Sequence, residues 1–222
     1  MDTAINQRPQ QSAVSGDAIG ARQASTLWGL FCERVRRSPD AIAYRDYNGT
    51  EGGWRDHTWR MISERVDRYR AALAQDNIRA GDHVAILLPN GIDWACLDLA
   101  AHGSGLVVVG LYPHDNAASN AYILGHSDAC LVLLDTEARW KSLWPFRSNF
   151  PSLERVWVRD ARVNSAPSPT GPIVRELADV LANAPEPPSQ HPAAPSDLAT
   201  LIYTSGTTGR PKGVMLSHFA LL

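Results

Sequence analysis

The run YTSGTTGRPKGVMLSH, from Tyr203 to His218, decides how the rest of the chain is read. It sets three glycines (Gly206, Gly209, Gly213), four side-chain hydroxyls (Thr204, Ser205, Thr207, Thr208) and one lysine (Lys212) directly after the apolar stretch DLATLIY. Glycines remove the Cβ atoms that would keep a bulky anion off the main chain. Successive backbone N–H groups can then form a concavity for negative charge, the hydroxyls add donors, and lysine supplies a point charge for phosphate oxygens. Pro211 stiffens the exit. Lys212 is one of only two lysines, with Lys141, among 21 basic side chains, so a chain that otherwise uses arginine has placed a lysine here.

This is not the common GxxxxGK(S/T) loop. That pattern needs glycine before the lysine and a hydroxyl after it, the hydroxyl serving Mg²⁺. Here those positions are Pro211 and Gly213. A polyphosphate loop of another kind is expected, with a generic Gly/Ser/Thr turn as the plain alternative.

Working back from the loop, strand-like and helix-like stretches alternate. Residues 1–24 are rich in Gln, Ser, Ala and Gly without apolar periodicity and read as a disordered tail. Leu27, Leu30, Phe31 and Val35 fall at helical spacing, with Ser25 or Thr26 able to cap and Pro39 closing the segment. AIAYRDY and WRDHTW, joined by NGTEGG, predict a hairpin. Trp59, Ile62, Val66, Tyr69 and Leu73 predict a surface helix with one buried stripe. HVAILLP, LVVVGLY, CLVLLD and RVWVRD then read as strands. Between them NGIDWACLDLAAHGSG, SNAYILGHSDA and TEARWKSLWPF read as helices.

Short connections between alternating strands and helices predict an α/β fold: a mainly parallel sheet with helices on both faces. The expected organisation is a tail (1–24), an α/β subdomain (25–160), a Pro-rich surface excursion (161–196) with one short helical candidate around Ile173 to Leu181, and a final segment (197–222). That last segment holds a strand, the loop and the start of a helix capped by Ser217.

Composition excludes little but is consistent. An apolar fraction of 44% with 20% charged residues is ordinary for a globular domain, and a net charge of −2 gives no bulk attraction to nucleic acid. No apolar leader opens the chain and no stretch is long enough to span a bilayer, so a cytoplasmic location is expected. Cys32, Cys96 and Cys130 sit among apolar neighbours without ligand spacing and read as buried small hydrophobes. Seven histidines are scattered; His218, just past the loop, is the one kept as a candidate catalytic or site-shaping group.

YTSGTTGRPKGVMLSH resembles the phosphate-binding signature of the adenylate-forming (AMP-binding) superfamily of acyl-CoA synthetases, luciferases and peptide-synthetase adenylation domains. Upstream, WRDHTWRMISERVDRYRAALAQDNIRAGDHVAILLPNGIDW and AAHGSGLVVVGLYPHDNAASNAYILGHSDACLVLLD are similar to the family's N-terminal units in order and spacing. The "VGLYP" turn followed by "AYILGHSDA" is most similar to long-chain fatty acyl-CoA synthetases.

The resemblance implies a two-step reaction. A carboxylate attacks the α-phosphate of ATP with loss of pyrophosphate, and a thiol such as coenzyme A then displaces AMP, with Mg²⁺ sharing the phosphate charge. Thr204, Ser205, Gly206, Thr207, Thr208, Gly209 and Lys212 would hold the β- and γ-phosphates, and none would be a nucleophile. The family's remaining parts lie beyond this signature, so the chain is expected to be the truncated N-terminal portion of such an enzyme. It is expected to be inactive alone and prone to self-association, with peripheral membrane association of the full-length enzyme left open. A non-catalytic nucleotide- or partner-binding module is the alternative; luciferase-like, aryl-acid and peptide-synthetase enzymes are further ones.

Overall fold

The computed structural model describes residues 17–48, 52–160, 171–189, 191, 193–204 and 210–222. Short polar side chains start several of its helices by accepting an otherwise unpaired backbone N–H. Thr26 accepts from Gly29 to open α2 (Leu27–Arg37), and Thr58 from Met61 to open α3 (Trp59–Gln75). Asn116 accepts from Ser119 at α5 (Ala117–His126), and Thr136 from Arg139 at α6 (Glu137–Leu143). Ser217 accepts from Ala220 at α8 (His218–Leu221), as its position predicts. Between α3 and α5 runs α4 (Ile92–Gly103). A 3₁₀ turn (Trp144–Asn149), with Pro145 near its start, ends α6.

The predicted hairpin forms from β1 (Ile42–Asn48) and β2 (Gly53–Thr58). The main sheet holds β3 (His83–Leu87), β4 (Val107–Gly110), β5 (Leu131–Leu134), β6 (Arg155–Val158), β7 (Ile173–Glu176), β8 (Leu198–Thr204) and β9 (Lys212–Ser217). Their order is β7-β6-β5-β3-β4-β8-β9, parallel throughout except for β9, which returns antiparallel to β8.

Alternate residues of the central strands enter two cores. Val84, Ile86, Val108, Leu131, Leu133 and Trp157 face α2, α3, α4 and α7 (Leu177–Ala182). Ala85, Leu87, Val109, Val132, Leu134 and Val156 face α5 and α6. A sheet covered on both sides needs apolar residues at successive positions, which is why HVAILLP and CLVLLD carry no polar alternation.

Two expectations are corrected. Residues 1–16 of the expected tail lie outside the described residues, but its last part is structured: Ala21–Ala24 form one helical turn, α1, with Ala24 buried, and Asp17 pairs with Arg34 of α2. The Pro-rich stretch is not only a surface excursion, and its helical candidate is helix only from Leu177: Ile173–Glu176 add a strand to the sheet, and Leu177 and Val180 enter the core. Buried Asp76 fixes that addition, accepting from Trp157 Nε1 and Arg175 Nη1, each at 2.8 Å. Arg70, also buried, donates to the Pro188 carbonyl at 2.8 Å and ties the following coil to α3.

Candidate phosphate-binding site

The strands β8 and β9 form the base of the site. Their antiparallel register runs from Leu198 opposite Ser217 to Thr204 opposite Lys212. Thr204 is thus the last residue of one strand, Lys212 the first of the next, and both are exposed. Because β8 runs parallel to β4, this end is the carboxyl edge of the sheet. Ligands of open α/β sheets bind at that edge, outside the strand ends. Of the sequence-predicted residues the structure therefore brings together Thr204 and Lys212; Ser205, Gly206, Thr207, Thr208 and Gly209 lie outside the described residues.

Two further groups at the loop stems escaped the sequence reading. Tyr203 is buried in the α5-side core, and its Oη lies 2.8 Å from His126 Nδ1. Burial raises the Tyr203 phenol above its ordinary value of 10.0, so it stays protonated at neutral pH. Arg210, exposed, places its guanidinium 5.7 Å from the centre of the Tyr122 ring. Gly213 has a role other than opening the backbone to phosphate. A Cβ there would sit 3.0 Å from the Tyr203 ring, so glycine allows β9 to pass against that ring.

His218 is not brought to the loop. It begins α8 at the other end of the β8–β9 ladder, beside Ser217 and Leu198. Six residues of strand separate those ends, roughly 20 Å. The ring is buried, its Nδ1 accepts the Leu27 N–H at 3.4 Å, and its edge meets the His102 ring at 5.2 Å between centroids. Burial and then His102 lower its pKa below the ordinary 6.5.

A cleft of about 660 Å³ opens at the same carboxyl edge, where the connections after β3 and β4 diverge. Its lining includes Leu88, Trp94, His102, Tyr112, Ile202 and Leu221, a mostly apolar set. Among the described residues no group of three or more His, Cys, Asp or Glu could hold a metal ion. Among them, too, no helix is long and apolar enough to cross a membrane.

Known proteins extend this picture. Fatty acyl-CoA synthetase A of Dictyostelium discoideum is 30% identical over 199 residues, covering 87% of this chain and 30% of that protein. Phosphinothricin tripeptide synthetase PhsB of Streptomyces viridochromogenes is also 30% identical over 199 residues, covering 90% of this chain and 15% of that protein. The chain therefore spans well under half the length of these relatives. Among solved structures, the anthranilate CoA ligase AuaEII in complex with anthranoyl-AMP superposes with a TM-score of 0.72 at 21% identity, over 87% of this chain and 35% of that one. The sequence pattern of the AMP-binding enzymes matches residues 31–222. By that match, which takes in both strands of the site and both cores of the sheet, the chain belongs to the AMP-binding enzyme family.

Proposed function

We propose that the loop between Thr204 and Lys212 holds the β- and γ-phosphates of ATP, and that the complete protein is an AMP-forming acid–thiol ligase acting on a fatty acid with coenzyme A as acceptor. The observation that carries this reading is the Thr204–Lys212 pair: the last register position of β8 and β9, exposed at the carboxyl edge, brackets SGTTGRP. A glycine-rich turn held at both stems can present several main-chain donors to one polyanion. Lys212 would neutralise part of the charge that grows as a carboxylate approaches the α-phosphate, and the hydroxyls of Thr204, Ser205, Thr207 and Thr208 would add donors. Gly206 and Gly209 would let the backbone approach.

Mg²⁺ would enter as a companion of the nucleotide's phosphates. Among the described residues no group of three or more His, Cys, Asp or Glu could hold a metal ion, and Mg²⁺ is commonly held by substrate phosphates with few protein ligands. His218, far along the ladder and turned to Leu27, would shape the fold beneath the site rather than exchange protons with substrate. The fatty-acid and coenzyme A assignments rest on the likeness to the acyl-CoA synthetase and on the GLYP segment, Gly110–Pro113, which lines the apolar cleft.

A second reading has support of equal weight in identity. The peptide synthetase PhsB matches as closely as the acyl-CoA synthetase, so an amino or aryl acid handed to another thiol is the competing assignment. A panel of fatty, aryl and amino acids, assayed for pyrophosphate release with and without coenzyme A on the complete protein, separates the two. Fatty-acid-dependent release with acyl-CoA formation supports the first; release only with amino or aryl acids overturns it. The 222-residue chain alone should release no pyrophosphate above background.

A further inference from the structure

We propose that Tyr122 and His126 of α5 are positioning residues for the polyphosphate loop, each gripping one of its two stems. The incoming stem is Tyr203, whose Oη lies 2.8 Å from His126 Nδ1 and whose ring meets the imidazole edge-on, at 5.8 Å and 87°. The outgoing stem is Arg210, whose guanidinium lies over Tyr122 at 5.7 Å. Tyr122 and His126 are four residues apart, so they share one face of α5, and their rings are 5.4 Å apart. Arg210, Tyr122, His126 and Tyr203 thus form one unbroken line across both stems. Gly213 closes it on the far side, where its hydrogen faces the Tyr203 ring.

The chemistry goes beyond filling a core. Phenylalanine would fill the site of Tyr203 equally well, whereas a buried phenol requires a partner for its hydroxyl, and an exposed imidazole supplies it. The phenol and His126 Nδ1 share one hydrogen bond at 2.8 Å, and the imidazole tautomer decides which of the two donates. Arg210, exposed, has water as an alternative to the Tyr122 face; a cation over a ring fixes it in one direction. A loop that binds a polyanion through many weak main-chain bonds loses affinity when its ends must first be ordered. Anchoring both stems to one helix removes part of that cost. The inference rests on the polyphosphate reading of the loop.

The test uses the 222-residue chain, with hydrogen exchange read at the stem amides of Thr204, Arg210, Lys212 and Gly213 without ligand, and tripolyphosphate titrated by calorimetry. His126→Leu and Tyr203→Phe should each raise stem exchange and weaken tripolyphosphate by about three- to tenfold. Arg210→Ala should do so by about twofold. Exchange in β3 and β5 should stay as in the parent chain. His126→Asn, which sets a hydrogen-bonding atom near the Nδ1 position, should restore both readouts. Unchanged stem exchange, or a uniform rise in all strands with a lowered melting temperature, overturns the positioning role. A parent chain that does not bind tripolyphosphate overturns the polyphosphate reading instead, and the ligand-free exchange keeps the two failures apart.

Discussion

His218 accepts the backbone N–H of Leu27 at its Nδ1, joining residues 191 positions apart in sequence. Leu27 is the first residue of α2, so its N–H has no partner within the helix and the imidazole takes the place of a further cap. The contact ties the start of α2 to the start of α8, just past the strand that leaves the loop.

Acidification should weaken this tie. Burial, with His102 second, depresses the folded pKa of His218 below 6.5, and the nearby Asp197 only partly opposes them. Below the unfolded value the unfolded chain binds the extra proton more readily, so stability falls as pH drops through about 6.5 toward the folded pKa. His218→Asn keeps an acceptor for Leu27 but cannot titrate. Urea denaturation from pH 7.5 to 5 should show the parent chain losing stability faster than the variant, by at most about 1.4 kcal/mol per pH unit. Parallel curves would contradict the assignment.

Asp76→Ala should be among the more damaging single changes. It leaves the Trp157 indole N–H and the Arg175 guanidinium without their carboxylate, where the carboxyl group itself is buried. The expected loss is about 2–4 kcal/mol in chemical denaturation, toward the lower end because Arg175 can reach water. Asp76→Asn, which still accepts from Trp157, should cost less. A loss under about 0.5 kcal/mol for the alanine variant would show that β7 does not depend on this residue.

The strands and helices with a strong period were legible in the sequence because each signal is local. HVAILLP announces a doubly covered strand, and Thr26 and Ser217 stand where a helix must start; the cap at Thr58 came only with the structure. β7 was not legible: Ile173–Glu176 is four residues long, stands in Pro-rich surroundings, and is completed by Asp76, 99 residues away. The stem contacts escaped for the same reason, since His126 and Tyr203 lie 77 residues apart and neither residue type marks a pair by itself. Glycine at position 213 was visible, but whether it admits a phosphate or an aromatic ring depends on a neighbouring strand.

The thiols should be unreactive in the folded chain. Burial pushes Cys96 and Cys130 up to about 12, and raises Cys32 as well. At pH 8 a disulfide reagent should therefore label Cys96 and Cys130 at least about tenfold more slowly than an unhindered thiol, with labelling accelerating only on unfolding. Rapid labelling of either without denaturant would contradict the packing around α4 and β5.

Self-association is expected through β9 and α8. Among the described residues β9 is an edge of the sheet, and Val214, Met215 and Phe219 stand exposed there. Sedimentation velocity should show species heavier than a monomer as concentration rises, and Met215→Lys should shift them back. A parent chain that stays monomeric throughout would exclude this edge as a contact.

Nucleotide binding by the stretch between Thr204 and Lys212 is tested most directly by one titration: Mg²⁺–ATP against the parent chain and against Lys212→Ala. Lys212 is exposed at the start of β9, so its removal should leave melting unchanged. Loss of a charged donor to phosphate should weaken binding roughly tenfold or more. Equal affinity of the two proteins for the nucleotide would contradict the account.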